Sequence, residues 1–139
     1  MRITLDTNQF LRALMRPPEL ATFLMAWQAG RFTVVCSRQL LDEYEATLAY
    51  PKIAKLIFPE LRRIFLTQLV HEMEIIDLPS IAAVCRDPDD DKVIATAVYG
   101  AVDYLATADD DLRVEPVISI IRLQGIQLTT IDEILTLLP

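Results

Sequence analysis

Acidic side chains recur in four groups along this chain: Leu5-Asp6-Thr7-Asn8, Asp42-Glu43-Tyr44-Glu45, Asp87-Pro88-Asp89-Asp90-Asp91-Lys92 and Thr107-Ala108-Asp109-Asp110-Asp111. Each follows a short apolar run or flanks an amphipathic one. If the apolar runs are parallel strands, their carboxyl ends share one sheet edge, the place where open α/β sheets bind ligands. Carboxylates gathered there without matching bases repel one another, and a hard divalent cation, which takes oxygen ligands, relieves that repulsion.

The individual acids have competing readings. Asp6 ends a strand candidate and begins Asp-Thr-Asn, which projects a carboxylate and an amide from a strand end; it is equally suited to capping the following helix. At roughly 100° per residue, Asp42 points away from the stripe of Leu40, Leu41, Tyr44 and Leu48. Glu43 and Glu45 border that stripe on opposite sides, and periodicity does not choose between them. Among Asp87, Asp89 and Asp90 some serve as caps at a helix start, where the backbone dipole favours negative charge. Asp91 lies three, four and seven residues before Ile94, Ala95 and Val98, so it faces inward, and an inward carboxylate requires a cation or a hydrogen-bond network. Asp109 follows Tyr104-Leu105-Ala106-Thr107 as Asp6 follows Ile3-Thr4-Leu5, and this repeated strand-then-acid pattern carries the argument. Asp110 reads as a turn residue.

Other chemistries lack their residues. His71 is the single histidine, which leaves no zinc set and no serine triad with a base. Three glycines, Gly30, Gly100 and Gly125, make no phosphate-binding loop. Lys52, Lys55, Arg62 and Arg63 form a modest basic patch that reads as a solvated face.

The elements that must position these acids follow from composition and pattern. A chain of 139 residues, 53% hydrophobic, fits one compact domain over residues 1–139 with a substantial core. Cys36 and Cys85 read as buried thiols, which suits a reducing cytoplasm. No apolar run approaches the ~18 residues of a membrane span, and no leader pattern follows Met1. The net charge of −7 gives no support to nucleic-acid binding, which draws on lysine and arginine. The excess is local, however. Eight acids face Lys92 alone between Asp87 and Asp111, whereas twelve acids meet twelve bases elsewhere.

Strands are expected at 2–5, 32–36, 73–78, 103–107 and 125–129, and helices over 8–15, from Pro18 or Glu19 to a C-cap at Gly30, over 38–50 behind a Ser37 cap, after Pro59, from the Asp89 to Asp91 region, and from Thr130 or Asp132 through Leu138. The apolar stripes run through Leu20, Phe23, Leu24 and Trp27, and through Leu61, Ile64, Phe65, Leu69 and Val70. Residues 113–124 fit neither pattern. Strands alternating with helices predict a parallel sheet covered on both faces.

Taken together, the four acidic groups at these intervals resemble the PIN-domain family, in particular its toxin components, the VapC-type ribonucleases. The resemblance runs from the first strand to the last helix. It implies a three-layer α/β/α domain with a parallel sheet of four or five strands, a Mg2+ or Mn2+ cofactor, an RNA substrate, an antitoxin partner and a homodimer. Carried over by position, the family's acids fall on Asp6, Glu43, Asp91 and Asp109 as catalytic and metal-binding residues, with Asn8, Thr107 and Asp111 in support; the resemblance thus selects Glu43 over Glu45. Ala108 departs from the glycine common between the threonine and the aspartate. The implied reaction is hydrolysis of an RNA phosphodiester by water that one or two metal ions activate. Two rivals are a phosphatase with Asp6 as nucleophile, against which Asn8 replaces the second acid of the usual Asp-x-Asp, and a non-catalytic binding module of the same fold.

Overall fold

The computed structural model describes the backbone of residues 1–138 and the side chains there except those of Pro17, Glu19, Leu20, Leu61, Phe65, Leu69 and Val70. The stripe positions Leu20, Leu61, Phe65, Leu69 and Val70 therefore lie outside the described residues. In chain order the elements are β1 (Arg2–Leu5), α1 (Thr7–Met15), α2 (Pro17–Gln28), β2 (Thr33–Ser37), α3 (Arg38–Leu48), α4 (Pro51–Ala54), α5 (Pro59–Glu72), β3 (Glu74–Ile76), α6 (Asp91–Tyr99), β4 (Tyr104–Ala106), α7 (Val117–Leu123), β5 (Gln127–Thr129) and α8 (Ile131–Leu137). Short 3₁₀ turns at Pro88–Asp90 and Asp110–Leu112 follow Asp87 and Asp109, whose side chains cap them.

The five strands form one parallel sheet in the order β3-β2-β1-β4-β5, within a three-layer α/β/α arrangement. Ile3, Thr4 and Leu5 of β1, Val34, Val35 and Cys36 of β2, and Leu105 and Ala106 of β4 are all buried, as expected where helices cover both faces of a parallel sheet. Thr4 is tolerated there because its hydroxyl donates to the Val35 carbonyl at 3.0 Å. No helix among the described residues is long and apolar enough to cross a membrane.

Strand order determines where a ligand can enter. Connections leave β1 toward β2 and β3 on one side, then cross back to β4 and β5 on the other. The chain order thus reverses between β1 and β4, and the helices that follow diverge there to leave a crevice. Leu5 pairs with Ala106, so the residues just beyond them, Asp6 and Thr107, emerge side by side at its floor.

Three docking contacts hold the helices in place. Tyr44 of α3 is fully buried, stacks on Phe10 of α1 with ring centroids 4.1 Å apart, and donates its hydroxyl to the Leu5 carbonyl. Gln9 of α1 accepts from the Ile131 amide at 2.8 Å, which ties α8 to the same layer. Gly100 ends α6 against β2; a Cβ there would stand 2.6 Å from Val35 Cγ1 and 2.7 Å from the Thr96 carbonyl oxygen, so only glycine permits this approach.

Three segments differ from the sequence expectation. Residues Val117–Leu123 form a helix, α7, in the stretch that fits neither pattern, and the helix expected over 38–50 ends at Leu48, with Pro51 starting the separate single turn of α4. The edge strand β3 is shorter than the expected 73–78.

Candidate metal centre

Asp6 lies one residue beyond β1 and is 7% exposed. The cap reading holds, since Oδ1 accepts the Gln9 amide at 2.7 Å at the start of α1, and the residue also lines the acidic cleft. Burial raises its pKa above the usual carboxylate range; Thr107 and the Gln9 amide oppose this, and the charges of Asp109 and Glu43 add to it.

Glu43 is delivered by α3, the helix that Tyr44 docks onto the end of β1. The Thr7 hydroxyl donates to its Oε2, and the Lys92 ammonium lies 3.0 Å from its Oε1. Glu45, which helical spacing could not separate from Glu43, is exposed. Asp109 follows β4 and is shaped by a local turn: its amide donates to Thr107 Oγ1 at 3.0 Å, and its Oδ1 accepts the Asp111 amide at 2.9 Å. Ala108, where the family commonly has glycine, does not prevent this turn.

Asp6, Asn8, Glu43, Asp90 and Asp109 line one open cleft of about 250 Å³, together with Thr7, Thr47, Asp87, Asp89 and Val93. Within reach of it, Asp90, Asp109 and Asp111 each offer a carboxylate oxygen, and these oxygens lie within 4.8 Å of one another. Burial, and then the charges of Asp109, Asp87, Asp111 and Glu43, push the Asp90 pKa from 3.8 up to about 6. Three all-oxygen donors that repel one another are a donor set of the type that hard divalent cations take. Arg86 meets part of the charge through Asp111, at 2.9 Å, and Arg113 donates to the Thr107 carbonyl at 2.8 Å.

Asp91 is placed elsewhere. It faces inward, as helical spacing predicts, and is 6% exposed, but its Oδ1 accepts the amides of Val84 and Cys85 at 3.0 and 2.8 Å. Burial raises its pKa, yet these amides and the Cys85 side chain outweigh burial and hold it below the ordinary value. It borders a separate apolar cavity of about 140 Å³ with Val84, Ile94, Val98 and Ile120. Of the two needs of an inward carboxylate, Asp91 meets the hydrogen-bond network, and the neighbouring Asp90 faces the acidic cleft.

Sequence reasoning missed Asp90, Thr7, Lys92 and Arg86 as members or partners of this centre. The signal for Lys92 was present, since it is the one base in the acidic stretch. Asp90 was hidden because the 3₁₀ turn before α6 breaks the helical periodicity that was extended back to it.

None of the curated proteins compared with the chain matches it. The family model described as PIN domain matches residues 2–111. The match ends at Asp111 and leaves α7, β5 and α8 outside, so it is shorter than the resemblance read from the sequence. PIN domains are typically metal-dependent nucleases. With the match spanning β1 through the last acidic group, on a parallel sheet whose crevice gathers those acids, this chain belongs to the PIN-domain family.

Proposed function

We propose that the protein is an endoribonuclease that requires Mg2+ or Mn2+ and serves as the toxin of a type II toxin-antitoxin pair. The observation that carries this reading is the convergence of Asp6, Glu43, Asp90 and Asp109 on one cleft at the switch point of the sheet, with Asp111 beside them. Asp90, Asp109 and Asp111 are the residues we assign to hold the cation; Asp6 and Glu43 complete the acidic wall, with Asn8 and Thr107 in support. Asp91 is assigned to holding the Val84–Cys85 segment in place.

A bound divalent ion supplies Lewis-acid stabilisation of the phosphate and activation of water. The chain's own residues supply orientation. The Gln9 amide holds Asp6, Thr107 braces the turn at Asp109, whose carboxylate converges with that of Asp111, and Thr7 and Lys92 hold Glu43. The acids repel an RNA backbone until cation charge is present, which makes substrate binding and metal binding one event. A cytoplasmic setting, an antitoxin that covers the cleft, a homodimer, and a single domain over residues 1–139 belong to the same proposal.

The test is cleavage of a mixed set of labelled RNAs by partner-free protein in Mg2+, in Mn2+ and in chelator, with Asp6→Asn prepared identically. Metal-dependent cutting that the variant lacks is the expected result. A folded protein that neither cuts RNA nor binds Mn2+ would move the assignment to the binding-module reading, and a trapped phosphoaspartate at Asp6 would move it to the phosphatase.

A further inference from the structure

Lys92 is the sole base between Asp87 and Asp111, among eight acids, yet its ion pair is with none of them. Its ammonium reaches Glu43, 49 residues away, at 3.0 Å. The other oxygen of Glu43 accepts from Thr7. Glu43 is therefore held from two sides, by the first turn of α1 and the first turn of α6.

The surroundings separate this lysine from a substrate contact. Its side chain is 22% exposed, whereas that of Arg86, paired with Asp111, is 67% exposed. Both bases sit on a carboxylate, but only the exposed arginine presents its charge to solvent and so to a phosphate; the lysine is sheltered. Exposed ion pairs contribute little because two long side chains must be ordered in water, but a partly buried pair between distant elements fixes their relative placement. Lys92 sits two residues after Asp90, so anchoring it to α3 also sets the turn from which Asp90 enters the cleft.

We propose that Lys92 is a positioning residue for the nuclease reaction, fixing Glu43 in the cleft shared with Asp6 and Asp109 and locking the first turn of α6 against α3. This rests on the nuclease reading. Lys92 acts through Glu43. Its removal leaves the cleft more negative, so cation affinity should hold or rise while turnover falls. A merely structural lysine, whose loss disorders the cleft, gives the opposite sign for the cation.

The experiment compares wild type, Lys92→Gln, Lys92→Arg, Glu43→Gln and the double variant Glu43→Gln/Lys92→Gln for RNA cleavage and, separately, for Mn2+ affinity by titration. Loss of an outer partner of this kind costs about 10- to 100-fold, and that fall in kcat is expected for Lys92→Gln, with KM for RNA near the wild-type value and Mn2+ affinity equal or tighter. Lys92→Arg should recover most of the rate, and the double variant should be no slower than Glu43→Gln alone. Full activity of Lys92→Gln overturns the proposal, as does a rise in KM alone, an additive loss in the double variant, or a parallel loss of Mn2+ affinity. Wild type that cuts no RNA sinks the nuclease reading and this proposal together; wild type that cuts and Lys92→Gln that cuts equally well sinks only the latter.

Discussion

Asp90 and Asp91 are neighbours in sequence with opposite surroundings, and the difference is measurable. Asp91 receives two backbone amides and lies outside the lining of the acidic cleft, so Asp91→Ala should leave those amides unpaired and cost about 1–3 kcal/mol of stability, read from urea unfolding, with Mn2+ affinity near wild type. Asp90 makes no capping bond to α6, so Asp90→Asn should weaken Mn2+ binding with no loss of stability. The reverse pattern would return the cation to Asp91. The pH dependence has a definite sign as well. Because the Asp90 pKa is raised from 3.8 to about 6, the folded protein holds this proton more tightly than the unfolded chain, and the carboxyl subtracts stability as pH rises through that window. In chelator, the stability of Asp90→Asn relative to wild type should therefore grow between pH 4 and pH 6 and then level off. A difference that stays flat across this range contradicts the burial and crowding of charge at Asp90. Mn2+ affinity should fall below about pH 6, as protons compete for the same oxygen.

At the scale of elements, the crevice depends on how α3 is set on β1. The Tyr44 hydroxyl is the link, since it caps the Leu5 carbonyl at the point where β1 gives way to Asp6. Tyr44→Phe keeps the stack on Phe10 but leaves that buried carbonyl without its partner, and a loss of roughly 1–3 kcal/mol is expected, measured by thermal or urea unfolding. An unchanged stability would mean that the carbonyl finds another donor. Most of this architecture was legible because each strand is an apolar run with punctuation on both sides: Ser37 caps α3, Gly30 with φ +70° closes α2, and Thr130 caps α8. The α7 segment was not, because Val117-Ile118-Ser119-Ile120-Ile121 is β-branched and favours a strand locally, while packing of Val117 and Ile121 into the core selects a helix. Pro116 before it and Gly125 after it, with φ +71°, were the available helix punctuation. In the cleft, Asp6 and Asp109 were legible as acids that the sheet brings together, since each follows one of two adjacent strands, whereas helical spacing left Glu43 and Glu45 equal and only the family resemblance separated them. Asp90 was not legible, because a single 3₁₀ turn shifts the face by one residue, and no periodicity argument resolves that shift.

The whole molecule carries a charge of −7, but its distribution matters more than its sum. Outside residues 87–111 acids and bases balance, and seven of the eight acids within that stretch, Asp103 excepted, lie beyond the carboxyl end of the sheet, so the long-range field comes mainly from the edge where Asp90, Asp109 and Asp111 converge. Monovalent salt screens such charges only beyond about 8 Å at physiological ionic strength, and the converging oxygens are within 4.8 Å of one another. Raising NaCl should therefore relieve little of their repulsion, whereas a divalent ion seated among them removes most of it. A ligand that binds only the folded state stabilises it by about 2.7 kcal/mol at a hundred times its Kd, which for a chain of this size is a rise in Tm on the order of 10 °C. Thermal unfolding in chelator, in Mn2+, and in NaCl of matched ionic strength separates the two effects. The large rise is expected in Mn2+ alone, is reversed by chelator, and is absent from Asp109→Asn, whose carboxylate belongs both to the converging set and to the wall of the cleft. An equal rise in NaCl would make the acidic edge a diffuse field that any salt screens, and a Mn2+ effect that persists in Asp109→Asn would place the ion elsewhere on the molecule.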